Sequence, residues 1–241
     1  NNINQNGNFE TVLIGIIGHT GGTINLAATS APPGAAVANQ ILDVGGQGIL
    51  ILENTGGITN IGNVTLAESK NTAIYVQDDA STTNITTVDT SAYAYGITKS
   101  DGASAIFIQD GTPTFNFFGT VQNAPPSSGS NHIVDIRDIN GGTINITGPG
   151  TYPLNDSADG VLIATAENAD IAIAGLNSTG NGQTGILIDQ SDSNISFTNT
   201  KITGAAEDGI LITRDPGPAF GATRSVTFEN TLINLDSAQY G

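Results

Sequence analysis

Gly48-Ile49-Leu50-Ile51, Ala73-Ile74-Tyr75-Val76, Ala105-Ile106-Phe107-Ile108, Ile133-Val134-Asp135-Ile136, Gly160-Val161-Leu162-Ile163, Gly185-Ile186-Leu187-Ile188 and Gly209-Ile210-Leu211-Ile212 are seven versions of one short apolar strand. Their second residues stand at 49, 74, 106, 134, 161, 186 and 210, so the phrase returns every 24 to 32 residues. A short strand cannot bury its apolar face alone; repeated at this period, it does so by stacking on its own copies, which is how a solenoid reads in sequence.

A second β-like run follows each phrase by about a dozen residues, among them Ile58-Thr59-Asn60-Ile61, Phe115-Asn116-Phe117, Ile144-Asn145-Ile146 and Asn194-Ile195-Ser196-Phe197. A third, weaker run appears at Val64-Thr65-Leu66, Lys201-Ile202-Thr203 and Leu232-Ile233-Asn234-Leu235. Gly, Asn, Asp, Ser and Thr fill the gaps, as turns require, and no helical periodicity intervenes. The expected architecture is a single all-β domain over 1–241, a right-handed parallel β-helix of about eight coils with three short strands each. Val12-Leu13-Ile14-Gly15-Ile16 and Gly21-Gly22-Thr23-Ile24-Asn25-Leu26 supply the first coil. Pro- and Gly-bearing insertions near 27–40, 122–131 and 214–222 are expected to leave the coils as surface loops.

Alternation sorts the phrase into faces. Ile49/Ile51, Ile74/Val76, Ile106/Ile108, Val134/Ile136, Val161/Ile163, Ile186/Ile188 and Ile210/Ile212 are all β-branched and point inward, stacked at ~4.8 Å. Between them Leu50, Tyr75, Phe107, Leu162, Leu187 and Leu211 form an outward apolar ridge, broken once by Asp135. An apolar ridge of that length on a rod is a contact surface for a cover, a second copy, a host or matrix protein, or a glycan. Just past the strand stands a second column of Glu53, Asp78, Asp110 and Asp138, then Thr165, Gln190 and Arg214. Its carboxylates could take a hard cation such as calcium, although turns select Asp for their own reasons.

Composition excludes more than it assigns. Six Lys/Arg against 22 Asp/Glu give a net charge of −16, which disfavours nucleic acid and anionic membranes as partners. With no cysteine there is neither a disulfide frame nor a thiolate metal site. No run reaches the ~20 apolar residues of a membrane helix. The chain lacks methionine altogether and its end falls where another Gly-Ile strand is due, so it reads as a piece of a longer extracellular protein with further coils to follow. His19 and His132 lie in different coils and suggest no zinc set.

One segment is dense enough for chemistry: His132-Ile133-Val134-Asp135-Ile136-Arg137-Asp138. The alternative function is a polysaccharide lyase or hydrolase, or a phage-type tail depolymerase, with a β-helix cleft: a hydrolase needs two carboxylates, and a lyase a base with a cation for the uronate. Asp135 and Asp138 could serve as the carboxylates and Arg137 as the clamp. A solvated charge balance explains the same residues more simply, and the expectation is therefore a non-enzymatic protein without a cofactor.

The Gly-Ile-Leu-Ile strands, the Gly-Gly-Thr-Ile-Asn phrases at Gly21 and Gly141 with their variant at Gly56, and the Phe-x-Asn-Thr phrases at Phe197 and Phe228 resemble β-helical passengers of autotransporter-type bacterial surface proteins. They are loosely similar to the polymorphic membrane proteins, with Thr where Ala is usual and Asn one place early. The resemblance implies an extended adhesin or stalk at the bacterial surface, held at the outer membrane by a segment outside this chain, with no catalytic residues to carry over.

Overall fold

The computed structural model describes residues 3–4, 14–27, 39–42, 48–66, 72–87, 104–119, 132–153, 160–179, 182–213 and 224–234. Among them every strand pairing is parallel and there is no helix; the chain is an all-β parallel β-helix. Of the three expected insertions, only Ala27, Asn39 and Gln40 fall within the described residues. Arg214 lies outside them.

An eight-stranded sheet takes its strands from the repeated phrase: Ile14–Ile17, Ile49–Leu52, Ile74–Asp79, Ile106–Gly111, Val134–Arg137, Val161–Ala164, Ile186–Asp189 and Ile210–Thr213. Equivalent residues pair throughout, Ile14 with Ile49, Ile49 with Ile74 and so on to Ile186 with Ile210. A slip of one residue would turn every isoleucine outward, so the β-branched columns enforce this register. From Ile49 to Ile188 both inward columns are fully buried. Each such side chain contributes roughly 1.5–3 kcal/mol.

The opposing face of the core comes from a twelve-stranded sheet, whose main strands are Thr20–Ala27, Gly56–Leu66, Thr82–Thr87, Thr114–Phe118, Thr143–Pro153, Glu167–Thr179, Asp192–Thr198 and Val226–Glu229. Phe115, Phe117 and Phe197 fill its inner side, and Phe197 stacks on Phe228 with ring centroids 5.2 Å apart.

The three strands expected per coil are distinct in the last two described coils, where Asp192–Thr198 is followed by Lys201–Thr203 and Val226–Glu229 by Leu232–Asn234, whereas in some earlier coils the second and third runs join in one bent strand. In Gly56–Leu66 and Thr143–Pro153 they are continuous, with a register irregularity at Ile61/Val64 and at Thr147/Gly150. The bend is made by a left-handed residue: Gly148 (φ 73°) and Gly175 (φ 79°), and in later coils Asn199 (φ 53°) and Asn230 (φ 51°). A single left-handed residue turns the chain without ending its ladder, and Gly and Asn adopt that conformation at least cost.

The corner after the eight-stranded sheet works alike. Gly18, Glu53, Asp78, Asp110, Asp138, Thr165 and Gln190 all have φ between 48° and 67°. Seven left-handed residues in seven successive coils explain this column by backbone geometry. Thr165, a β-branched residue strained there, is held by its N–H to the Asp189 carbonyl at 2.9 Å and by its hydroxyl, which donates to Asp138 Oδ1.

Candidate functional site

The outward side of the eight-stranded sheet carries the ridge anticipated from alternation. Leu50, Tyr75, Phe107, Leu162, Leu187 and Leu211 all point away from the core, yet each is half-buried rather than bare, because it leans on the equivalent side chain one strand away. Tyr75 and Phe107 stack with centroids 5.1 Å apart and planes at 21°. The Tyr75 hydroxyl donates to Gln77 Oε1 at 2.8 Å. Burial raises the Tyr75 pKa, and the charges of Asp110 and then Asp78 raise it further, so the phenol stays neutral.

Asp135 interrupts the ridge and, against expectation, is not solvated: it is 2% exposed. Arg137, two residues on along the same face, answers it with a bidentate pair, Nε to Oδ1 at 2.5 Å and a terminal nitrogen to Oδ2 at 2.6 Å. Ser104 Oγ donates to Oδ2 at 3.3 Å and His132 Nε2 lies 3.9 Å from the same oxygen. The hydrogen bonds to Asp135 raise the Arg137 pKa, burial works the other way, and the charges of Asp135 and Asp138 raise it further. The guanidinium also sits 5.8 Å from the Phe107 ring centroid, within cation–π range. Coils three to five thus present a continuous array: Tyr75 on Phe107, Phe107 under Arg137, and Arg137 fixed by a buried carboxylate. Such an array is rigid before any partner arrives, which lowers the ordering cost of binding.

Asp138 stands apart from this network. It occupies the left-handed corner, exposed, and accepts from Thr165. Glu53 and Asp78 are likewise exposed at their corners, with Asp110 half-buried. Among the described residues, no group of three or more His, Asp or Glu side chains is placed to hold one metal ion.

Sequence reasoning missed one functional-looking feature entirely. On the outer face of the twelve-stranded sheet, five asparagines form a head-to-tail ladder. Asn60 Nδ2 donates to Asn25 Oδ1 at 2.8 Å, Asn84 to Asn60 at 2.8 Å, Asn116 to Asn84 at 2.9 Å and Asn145 to Asn116 at 2.8 Å. Asn84 and Asn145 stand in Asn-x-Thr triplets, and Asn25, Asn60 and Asn145 close the Gly-Gly-Thr-Ile-Asn phrases and their variant, but neither pattern by itself announces a ladder. The available signal was positional: each of the four later asparagines follows the second residue of its coil's apolar phrase (Ile49, Ile74, Ile106, Val134) by ten or eleven places.

Comparison with protein-family models, with curated proteins and with solved structures found no match, so the functional reading rests on the chain's own chemistry.

Proposed function

We propose that this chain is an extracellular adhesin or stalk module of a bacterial surface protein, of the autotransporter passenger type, which makes contact through the outer ridge of its eight-stranded sheet. The observation that carries the proposal is the Tyr75–Phe107–Arg137 array. Tyr and Arg dominate binding hot spots because they bring large contact area and directed polar groups at low entropic cost. Here they are fixed in register on a rod and flanked by Leu50, Leu162, Leu187 and Leu211. The partner class that suits the ridge is a host or matrix protein or a glycan, or a second copy of the chain. A surface charge of −16 favours a partner that is not itself acidic.

The experiment is attachment of the purified chain to cells and matrix, with Tyr75→Asp/Phe107→Asp as the variant and its melting curve as the folding control. Loss of attachment with an unchanged melt supports the reading; unchanged attachment overturns it. The competing reading is a polysaccharide lyase or hydrolase using Asp135, Arg137 and Asp138. Convergence of Ser104, His132 and Arg137 on Asp135 favours it, while the bidentate pair leaves that carboxylate little capacity to act as a base. Release of reducing or unsaturated ends from acidic polysaccharides, abolished by Asp135→Asn, would establish the enzyme instead. A calcium dependence of the melt, lost in Asp78→Asn/Asp110→Asn, would assign the corner column to a cation.

A further inference from the structure

The asparagine ladder stops at Asn145, and the place where it stops is a site. The next residue in register is Ala172, whose methyl group can neither donate to Asn145 Oδ1 nor fill the space of an amide. The following residues in the same column are Ser196 and Thr227, both short. One missing side chain therefore opens a notch of about 190 Å³ on an otherwise filled face, lined by Asn145, Asp170, Ala172, Asn194, Ser196 and Thr227.

The notch has a definite chemistry. Asn145 Oδ1 reaches its edge as an acceptor, since among the described residues the one ladder bond Asn145 makes is the one it donates to Asn116. Asp170 uses Oδ1 to accept from Asn194 Nδ2 at 2.8 Å, which orients the carboxylate and leaves Oδ2 to accept from a ligand. Ser196 Oγ donates to the Ile171 carbonyl at 3.5 Å and so faces a ligand as an acceptor, while the Thr227 hydroxyl can donate or accept. No Lys or Arg lines the notch. Acceptors thus predominate, with one carboxylate among them on a chain of net charge −16, so anionic ligands are repelled and a ligand rich in hydroxyl donors is favoured. From Asn145 to Ser196 is two strand spacings, ~9.6 Å, and from Asp170 to Ala172 one two-residue step, ~6.7 Å. That footprint accepts one pyranose ring with its equatorial hydroxyls toward Asn145 and Asp170 and its C–H face on the Ala172 methyl.

We propose that this notch binds a single neutral pyranose unit of a glycan. The site is on the other sheet from the apolar ridge and shares no residue with it, so either can fail without the other. A shallow, open site of this size gives a dissociation constant on the order of 1 mM for a monosaccharide.

The test is titration of the ¹⁵N-labelled chain with the methyl glycosides of galactose, glucose and N-acetylglucosamine, and with galacturonate as the anionic counterpart. The expected result is a saturable shift of the Asn145 and Asn194 side-chain NH₂ resonances with at least one neutral glycoside, while those of Asn60 and Asn84 stay in place. Galacturonate binds at least about tenfold more weakly. Ala172→Asn extends the ladder into the notch and lowers affinity by more than about tenfold without lowering the melting temperature. Should that variant melt early, Asp170→Asn decides, with the same loss expected. The proposal is overturned if no neutral glycoside moves the two resonances, if galacturonate binds equally well, or if affinity survives the deciding substitution.

Discussion

Replacing Arg137 with Met tests whether Asp135 is truly held out of water. The carboxylate side chain is 3% exposed and its guanidinium partner 39% exposed, joined by bonds of 2.5 and 2.6 Å. Removing one partner of a fully buried pair costs about 3–5 kcal/mol, because the other charge is left desolvated and unanswered. The Arg137 end is partly screened by solvent, which places the expected cost near the bottom of that range, about 3 kcal/mol. For a chain of this size, that corresponds to a fall of ~6–12 °C in melting temperature. Ser104 and His132 remain, but a single bond at 3.3 Å and an imidazole nitrogen 3.9 Å away replace neither lost contact. The companion variant is Asp135→Leu/Arg137→Leu, which restores the ridge by placing Leu in register between Phe107 and Leu162. Replacing both charges with apolar groups leaves stability within ~1 kcal/mol of the parent or raises it. Thermal unfolding followed by far-ultraviolet circular dichroism reads both. A buried Asp135 dependent on Arg137 is refuted if Arg137→Met lowers the melt by less than ~2 °C, or if the double variant falls as far as the single one.

Three further outcomes follow from the same geometry. Asn84→Ala, in mid-ladder, removes two side-chain hydrogen bonds and Asn145→Ala at its end only one, so the first should cost about twice the second, ~2 against ~1 kcal/mol, in chemical denaturation. Thr59 and Thr83 are fully buried in adjacent coils with hydroxyls that find no partner, so Thr59→Val and Thr83→Val should each stabilise by ~1 kcal/mol, raising the melt by ~2–4 °C. Asp79 is fully buried, and burial raises its pKa from 3.8 despite hydrogen bonds from Ser81. A raised carboxyl pKa gives stability that is complete below 3.8 and lost as pH rises through the folded value, so Asp79→Asn should be more stable than the parent at pH 7, with the gap closing in melts taken toward pH 3.

The phrases that stood out in the sequence turn out to be structural instructions. In Gly-Gly-Thr-Ile-Asn, the second glycine (Gly22, Gly57, Gly142) is the left-handed corner, with φ of 84°, 87° and 92°. A Cβ on Gly142 would meet the Pro113 carbonyl oxygen at 2.1 Å, so no other residue fits. In the phrases at Gly21 and Gly141 the isoleucine packs on the core, in the variant at Gly56 Thr59 takes that place while Ile58 is exposed, and in all three the asparagine joins the ladder. In Phe-x-Asn, the phenylalanine fills the core and Asn199 or Asn230 makes the next bend. The acidic column was found by spacing alone, but its cause, a left-handed backbone in every coil, is visible only in the dihedral angles.

Period and alternation are local properties of a chain, and local properties were enough to determine the parallel β-helix, the inward isoleucine columns and the outward direction of the ridge. What sits above and below a given side chain is not local. It depends on coils 24 to 32 residues apart meeting in register, and on loops that absorb the difference in length. For that reason only the tertiary structure could decide that Asp135 is buried against Arg137, that second and third strands form one bent sheet, that five asparagines join hands across coils, and that one alanine leaves a notch where the sixth would stand.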